Sequence, residues 1–408
     1  MSIIIPRELT IGDKAALMHE DARFEVANDL EAESCAIGRA AEIKSKKAPP
    51  RIQKSFLASE CIFNCAYCEC RCSRDERINY CFTPREFAEL SVDRAEKNGH
   101  GVFVTSAIYR NADYTQELLA ESVRIMREEL CYGGFIHAKV MPGADPLLIK
   151  KTGQYANRLS VNIEVAKSEG YKRIAKQKNK TNILEPMQSI SDMILGAKYD
   201  KRQFAYSQTT QLMAGSVQED DRAIMLLSQA LYKKYHLKRV YYTAFQYRHE
   251  ARGYDDLPLT STPYWRMARL YQADRLMQLY GFTPTDVTPE CQPNLEYDLD
   301  PKSSWALRHL EMYPVEVNKA DLYTLIRVPG IGLTYAKKIL EARRYCKITH
   351  DILKKMRVSL KRSIYFITCD GKYMGGNVLS MLRLRDYLIT GAEQISIIGA
   401  LAEDCLPT

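Results

Sequence analysis

Three cysteines close together constrain this chain more than any other feature. Cys61, Cys65 and Cys68 form a C-x-x-x-C-x-x-C sequence, with the aromatic residue Tyr67 immediately before the third cysteine. Cysteine thiolates are the soft ligands that hold iron–sulfur clusters, and three of them fit three corners of a cubane. The spacing therefore predicts a 4Fe-4S cluster in which one iron has no protein ligand.

Zinc is the alternative metal for the same thiols, because these cysteines with Cys70 or Cys72 would also make a closed tetrahedral site. Zinc sites usually combine a C-x-x-C pair with a second, distant pair, and this sequence has no such second pair. The spacing favours the cluster, and a non-catalytic zinc- and nucleic-acid-binding scaffold is the alternative.

The cysteine motif closely resembles that of the radical S-adenosyl-L-methionine (SAM) superfamily. The resemblance implies that the open iron binds the amino and carboxylate groups of SAM. It also implies that the reduced cluster splits the sulfonium to give a 5′-deoxyadenosyl radical. The resemblance also implies that Tyr67 lies near the adenine of SAM. The alternative role for its ring is packing beside the cysteine loop.

Composition fits a soluble protein of two or three domains. A chain of 408 residues with 46% hydrophobic residues can bury a large core. Its apolar runs are too short to span a bilayer, and its N-terminus lacks the apolar stretch of a signal peptide. Its twelve cysteines are diluted along the chain, and cytosolic thiols stay reduced. We therefore expect a cytoplasmic protein without a membrane partner.

Strands and helices alternate through the middle of the chain, after a region that is expected to be helical to about residue 47. The alternation predicts an α/β fold with a parallel sheet and right-handed crossovers. Six strands match the partial (β/α)6 barrel that the radical SAM resemblance implies. One helix start is clear, where Thr83, Pro84 and Glu86 supply the N-cap, first-turn proline and capping box. The expected strands are 51–59, 101–105, 134–140, 159–165, 210–214 and 239–245, and the expected helices include 116–129 and 222–234.

Polar residues follow the expected strands, where parallel α/β folds carry their chemistry. The resemblance implies that Ser106, after the second strand, meets the SAM amino group, although the superfamily's Gly-Gly-Glu-like turn is absent. Asn162 and Glu164 alternate to one face of the fourth strand and resemble ribose contacts. Gly215 directly follows the fifth strand, where it allows close backbone approach, and resembles the adenine-facing position. A polar barrel rim is the alternative role for all four.

A second motif lies near the C-terminus, where Val328-Pro-Gly-Ile-Gly332 separates two expected helices. Asn318 is expected to cap the first helix, which runs to Ile326, and the second is expected over 333–343. Glycines let the turn present N–H groups, and the next helix adds its positive dipole end, so a phosphate can bind without sequence readout. The motif is similar to the helix-hairpin-helix of DNA glycosylases, ligases and nucleotide excision proteins. Its expected nucleic-acid-binding residues are Arg327, Gly330, Ile331, Gly332, Lys337 and Lys338.

Positive charge concentrates in the same region. Residues 315–362 contain twelve Lys and Arg against four Asp and Glu, an excess equal to the net charge of +8 of the whole chain. A degenerate copy of the motif follows 28 residues later, from Leu353 to Leu360, without either glycine. Clustered Lys and Arg are typical of nucleic-acid-binding surfaces. A tight helix–helix turn with a solvated basic face is the alternative.

Together the two motifs resemble a family of DNA modification or repair radical SAM proteins that are often encoded beside a uracil-DNA-glycosylase-like protein. The resemblance implies an enzyme that modifies or repairs a nucleotide in DNA and takes electrons from a donor such as flavodoxin or ferredoxin. An RNA-modifying enzyme, acting for example on tRNA, is the alternative, because phosphate contacts do not distinguish the two sugars. Besides the two motifs, the resemblance covers residues 34–36, 269–276, 280–282 and 361–368.

One departure from that family follows the third cysteine, where Glu69-Cys70-Arg71-Cys72 replaces a Val-Asn-Arg-like sequence. With Cys35 and Cys81, these thiols can form an auxiliary cluster or be variable cysteines without a metal, and we expect the latter. The expected segments are an N-terminal helical region over 1–50, a radical SAM core over 51–283, a linker over 284–314 and an α-helical helix-hairpin-helix domain over 315–408.

Overall fold

A computed structural model describes residues 9–22, 52–73, 78–98, 101–201, 203–246, 257–258, 260–376 and 381–393. These residues divide into two compact units. The first takes the described residues up to 219 and those from 230 to 262, and the second takes 220–229 and 263–393. Within the described ranges, no helix combines the length and the hydrophobicity that a membrane span requires.

The first unit is built on a sheet of six parallel strands that follow one another in chain order. This order confirms the α/β arrangement expected from the sequence. The strands are β1 (Ile52–Phe56), β2 (Gly101–Thr105), β3 (Ile136–Lys139), β4 (Arg158–Ser160), β5 (Ser207–Ala214) and β6 (Arg239–Ala244). The helices are α1 (Ile11–Ala22), α2 (Pro84–Asn98), α3 (Ala112–Glu128), α4 (Pro146–Tyr155), α5 (Glu169–Ile174) and α6 (Lys180–Asp200). The next helix, α7 (Asp221–Tyr235), begins in residues of the second unit and ends in residues of the first.

Local sequence explains why these elements form. Every residue of β2 is buried, as expected for a parallel strand covered on both faces. Its Phe103 packs against the ring of His137 on β3, with 4.4 Å between ring centres. The predicted capping box begins α2, since the N–H of Glu86 donates to the Thr83 hydroxyl (3.3 Å) and the N–H of Thr83 donates to the Glu86 carboxylate (2.9 Å).

The fourth strand ends earlier than expected. The sequence predicts it to residue 165, but it ends at Ser160, and Glu164 beyond it adopts a left-handed backbone conformation with φ of 62°. Glu164 then returns to the sheet edge. Its N–H donates to the carbonyl of Gln211 (3.0 Å), and its carbonyl accepts from the N–H of Met213 (2.8 Å).

The second unit is mainly helical, but it also contains a small sheet that the sequence does not predict. Strands of two or three residues are too short to show alternating hydrophobicity, so no pattern marks them. They are β7 (Val315–Glu316), β8 (Ile367–Cys369) and β9 (Lys372–Tyr373). The helices are α8 (Tyr264–Tyr280), α9 (Pro284–Val287), α10 (Pro301–Arg308), α11 (Leu322–Arg327), α12 (Leu333–Ala342), α13 (His350–Lys355), α14 (Leu360–Ser363) and α15 (Met381–Glu393).

Two sequence predictions for this unit are wrong. Residues 284–314 are not a linker, because they form α9 and α10 within the second unit. Asn318 does not cap α11. The N-cap is Asp321, whose carboxylate accepts the N–H of Thr324 (2.8 Å), while the Asn318 amide pairs with the backbone of Ile348. Of the expected N-terminal helical region, α1 is described, and residues 1–8 and 23–50 lie outside the described part.

Candidate functional site

A cavity of about 220 Å³ lies at the carboxyl ends of the six strands. Side chains reach it from the strands themselves, with Lys139 from β3, Gln211 from β5 and Thr243 from β6. This edge is where α/β folds usually bind ligands. The cavity brings together most of the residues expected to bind a cluster and SAM, namely Cys61, Cys65, Tyr67, Cys68, Ser106, Asn162 and Glu164.

Backbone hydrogen bonds hold the cysteine loop at this edge. The N–H of Ile62 donates to the carbonyl of Ile108, just beyond β2, at 2.9 Å. The N–H of Ala66 donates to the carbonyl of Ile174, the last residue of α5, at 2.8 Å. Because both acceptors belong to segments attached to the sheet, the positions of the thiols are set by the fold.

The environment of the three thiols suits a metal cluster. Cys65 is buried, and Cys61 and Cys68 are partly buried. N–H groups of Phe63 and Cys70 donate to the sulfur atoms of Cys61 and Cys68, each at 3.4 Å. Burial raises the pKa of Cys61 to about 11 and that of Cys65 to about 12. Bare thiolates are therefore disfavoured, and iron would supply the missing positive charge.

A structural zinc site differs from a cluster site, because all of its ligands surround a single ion. The described residues contain no group of three Cys, His, Asp or Glu side chains arranged to hold a single metal ion. Cys70 lines the cavity and is buried, whereas Cys72 is exposed and Cys81 is partly buried. Cys35 lies outside the described residues.

A buried ion pair lies beside the cysteines. The Nζ atom of Lys178 is 2.8 Å from Oε1 of Glu164 and 3.0 Å from the hydroxyl of Tyr67, and the lysine and glutamate side chains are 11% and 3% exposed. Burial alone would raise the pKa of Glu164, but Lys178, Lys139 and Tyr67 together outweigh it and the pKa is lowered. Burial alone would lower the pKa of Lys178, but Glu164 together with Cys65 and Cys68 outweighs it and the pKa is raised. Both groups are therefore charged at neutral pH.

Two polar side chains of the cavity are placed to meet a ligand. Ser106 directly follows β2, and its buried hydroxyl has no hydrogen-bond partner among the described residues. A buried hydroxyl without a partner is costly, and a ligand that bonds to it would remove that cost. Asn162 lines the cavity between β4 and Glu164 and is half-buried. Their contacts with SAM stay predictions.

Gly215 does not line this cavity, and the structure gives it a packing role. Its φ is 82°, and a side chain there would begin 1.9 Å from the hydroxyl of Thr262. Its N–H donates to the carboxylate of Glu219. The glycine is thus required by the turn after β5, and its expected contact with adenine stays a prediction.

Lys178 is the residue of this site that the sequence does not reveal. It lies in the lysine-rich segment 176–180, where nothing marks which lysine turns inward. The only local signal is the capping box of Asn179 and Asn182, which starts α6 directly after it. A box of this kind fixes the backbone of the preceding residue but not the direction of its side chain.

The second candidate site is the helical hairpin of α11 and α12. Gly332 is the N-cap residue of α12, and the side chains of Lys337 and Lys338 are exposed on that helix. The N–H of Leu333 donates to the hydroxyl of Tyr280, at the end of α8, at 3.3 Å. One N–H of the first turn therefore already has a protein partner, and a phosphate would rely on the lysines and on the remaining N–H groups.

The other three expected nucleic-acid contacts contribute to packing of the hairpin. Ile331 is fully buried. Gly330 has φ of 85°, and a side chain there would begin 2.7 Å from the carbonyl oxygen of Ser359. The guanidinium of Arg327 lies 5.1 Å from the ring centre of Phe282. Phosphate contact by these residues stays a prediction.

The degenerate copy of the motif forms a second hairpin, α13 and α14. Thr349 caps α13 in the same way that Asp321, 28 residues earlier, caps α11. The second turn is one residue shorter, since Ser359 precedes α14 only 27 residues after Gly332. Arg357 takes the left-handed conformation in this turn, with φ of 61°. Two hairpins of similar construction therefore pack together through Gly330 and Ser359.

Comparison with known proteins gives distant matches of fold. No protein-family model matches this sequence, and no curated protein matches it. Similar solved structures include the FeFe-hydrogenase maturase HydG from Carboxydothermus hydrogenoformans, with 13% identity over 65% of this chain and 63% of that chain and a TM-score of 0.44. Methylornithine synthase (PylB) has 17% identity over 67% of this chain and 74% of that chain, with a TM-score of 0.43.

A third solved structure is the radical S-adenosylmethionine methyltransferase TsrM from Kitasatospora setae, with a cobalamin and a [4Fe-4S] cluster bound. It has 11% identity over 55% of this chain and 40% of that chain, with a TM-score of 0.34. The chain thus spans less than two thirds of the HydG and TsrM chains that it matches.

Proposed function

We propose that the first unit is a radical SAM centre, with a 4Fe-4S cluster bound by Cys61, Cys65 and Cys68 and with SAM bound beside it. The observation that carries the proposal is that all three thiols of the motif line one cavity at the carboxyl edge of a six-stranded parallel sheet. The cluster and SAM supply radical chemistry, the reductive cleavage of SAM to a 5′-deoxyadenosyl radical. The protein supplies the position of both groups.

The cavity side chains have separate tasks in this proposal. The unpartnered hydroxyl of Ser106 suits a polar group of SAM, and Asn162 and Glu164 suit the ribose hydroxyls. The ring of Tyr67, whose hydroxyl accepts a hydrogen bond from Lys178, suits stacking against adenine. In this proposal the side chains hold SAM through several contacts, and the fold fixes their positions before SAM binds.

In this proposal the second unit docks a nucleic acid, and the substrate is a nucleotide in DNA. Exposed Lys337 and Lys338, together with the N-terminal end of α12 at Gly332, support a phosphate contact without sequence preference. A base within a duplex cannot reach a cavity of the first unit while it is stacked. The substrate is therefore flipped out, single-stranded or damaged at the reacting position.

Three further parts of the proposal concern the surroundings of the enzyme. A low-potential electron donor such as flavodoxin or ferredoxin reduces the cluster. A uracil-DNA-glycosylase-like protein acts in the same modification or repair process. The enzyme works in the cytoplasm, where thiols stay reduced.

Anaerobic reconstitution with iron and sulfide tests the cluster. We expect about four iron atoms per chain, and none after alanine replaces all three motif cysteines. A matched control replaces three exposed cysteines, Cys131, Cys291 and Cys346, with serine and is expected to keep its iron. Equal iron in the two variants would disprove the assignment, and zinc in place of iron would support the scaffold alternative.

Competition between DNA and RNA tests the substrate class. Labelled single-stranded DNA is bound at fixed salt and displaced with unlabelled DNA or RNA of the same sequence. We expect DNA to displace it at the lower concentration. If RNA displaces it first, the RNA-modifying alternative replaces this proposal, and if neither binds, the second unit is not a nucleic-acid module.

A further inference from the structure

The ammonium group of Lys178 lies in the same cavity as the three cluster cysteines, where Lys139 is a second cationic side chain. The Nζ atom of Lys178 donates to the hydroxyl of Tyr67 at 3.0 Å, and Tyr67 directly precedes Cys68 in the chain. The same Nζ atom lies 5.7 Å from the ring centre of Tyr67. Lys178 therefore lies in the wall of the same cavity as the three thiols, where its charge can act on a cluster bound there.

Backbone contacts fix both members of the ion pair. The N–H of Lys178 donates to the carbonyl of Ala175 (2.8 Å), and the next residue, Asn179, is held by its capping box with Asn182. Glu164 is held by its two backbone hydrogen bonds to β5. The side chains are held in turn by the 2.8 Å contact between Lys178 and Glu164 and by the 3.0 Å contact of Lys178 with Tyr67, so the positions of both charges are set by the fold.

The reduction potential of an iron–sulfur cluster depends on nearby charge, on hydrogen bonds to sulfur and on solvent exposure. Reduction adds one electron, so a nearby cation favours the reduced state and a nearby anion favours the oxidised state. In a cavity with little water these effects are much stronger than in solution.

We propose that Lys178 and Glu164 are positioning residues of opposite sign that set the reduction potential of the cluster at Cys61, Cys65 and Cys68. The inference rests on the proposed function, since the potential exists only when the cluster is bound. Lys178 raises the potential and Glu164 lowers it, and their pairing keeps two charges in a buried site where either one alone would be costly.

A redox titration followed by electron paramagnetic resonance tests this inference. The reconstituted protein is reduced with dithionite in the absence of SAM, so that a contact of Glu164 with the cofactor does not contribute. We expect Lys178→Met to have a lower midpoint potential than Glu164→Gln. The expected difference corresponds to at least a tenfold change in the reduction equilibrium, ~59 mV for one electron. The double variant should lie between the two.

Three controls separate charge from structure. Lys178→Arg keeps the charge and should stay near the wild-type potential. Tyr67→Phe removes a hydrogen bond of Lys178 without changing the charge and should shift the potential less than either charge variant. Lys302→Met removes another lysine that lies over a tyrosine ring, in the second unit, and should leave the midpoint potential of the cluster unchanged.

Each result bears on one of the two hypotheses. If the wild-type protein binds no cluster, the proposed function fails. If the cluster is bound and the midpoint potential of Lys178→Met is not at least ~59 mV below that of Glu164→Gln, the inference fails while the proposed function stands. If Lys178→Met loses its iron, the midpoint potential of Glu164→Gln must still be higher than that of the wild-type protein. An unchanged or lower midpoint potential of Glu164→Gln overturns the inference.

Discussion

The cavity of the first unit and the hairpins of the second unit use charge in opposite ways. In the cavity, Lys178 and Glu164 are buried, paired and fixed by backbone contacts. On the hairpin, Lys337 and Lys338 are exposed, and their sequence neighbours add to a basic segment. Buried charges keep their strength and act on a few defined atoms, whereas exposed charges are screened by salt and attract any polyanion. This difference matches a division between chemistry and docking.

Glycines show a similarity between the same two regions. Gly215 and Gly330 both have positive φ, and at both positions a side chain would collide with a neighbouring segment. Each glycine closes a turn beside a candidate site without needing to touch a ligand. After a glycine substitution in either region, weaker ligand binding can therefore arise from disturbed packing alone. The variants must distinguish disturbed packing from the loss of a direct ligand contact.

The largest effect is expected from Gly330→Ala. The added carbon meets the carbonyl of Ser359 in a left-handed conformation, so we expect a loss of roughly 2–5 kcal/mol from strain and overpacking together. Gly371→Ala is the matched control, since Gly371 has φ of 75° but no atom within 4 Å of an added carbon, and it should cost about 1 kcal/mol. Equal losses in a denaturant titration would show that hairpin packing does not depend on Gly330.

A second prediction separates docking from packing. Replacing Lys337 and Lys338 with glutamine should weaken binding to all DNA sequences, and the log–log salt dependence should decrease by roughly 0.9 for each phosphate that is no longer neutralised. The unfolding midpoint should not change, because both side chains are exposed. Lys150 and Lys151, adjacent exposed lysines on α4, provide the control pair. If both pairs alter binding equally, general positive charge is sufficient and the hairpin has no special role.

The third prediction concerns an exposed edge of the second unit where charge affects stability. Burial alone would raise the pKa of Glu316, but N–H donors, including those of Gly371 and Asn318, outweigh it and lower the pKa to about 2. A lowered pKa in the folded state stabilises the protein above the unfolded value of about 4.3, and this contribution disappears as the pH falls toward 2.

Glu316→Gln should therefore lower the melting temperature at neutral pH, and its difference from wild type should shrink as the pH decreases below about 4. Thermal unfolding at a series of pH values measures this difference. A difference that is independent of pH would mean that the carboxylate charge is not what stabilises the small sheet.

The smallest effect is expected from the remaining cysteines near the motif. Serine at Cys35, Cys70, Cys72 and Cys81 should leave the iron and sulfide content unchanged, because we expect no auxiliary cluster. A decrease of about half in the iron content would reveal a second cluster of similar size. A single variant at Cys70 sharpens this test, since among the described members of this set Cys70 alone is buried in the wall of the cavity.

Periodic and local signals predict much of this fold. The fully buried β2 has the bounds 101–105 that the sequence predicts, and the capping box at Thr83 starts α2 as expected. The second helix of the hairpin, expected over 333–343, is observed as Leu333–Ala342. These elements follow from side chains within one turn or one strand of each other, which is the range over which sequence patterns are informative.

Features that depend on distant residues are not predicted. The inward turn of Lys178 requires Glu164 and Tyr67, which are 14 and 111 residues away in sequence. Asn318 looks like a helix cap, but its amide instead pairs with the backbone of Ile348, 30 residues later. Local propensity identifies residues that can form hydrogen bonds, and only the tertiary structure decides which partner they find.

One crossed measurement tests the division between chemistry and docking most directly. Reductive cleavage of SAM to 5′-deoxyadenosine and affinity for DNA are measured in two variants, one with alanine at the three motif cysteines and one with glutamine at Lys337 and Lys338. We expect the cysteine variant to lose cleavage and keep DNA binding, and the lysine variant to keep cleavage and lose DNA affinity. Cleavage that survives in the cysteine variant, or loss of both properties in the lysine variant, would contradict this division.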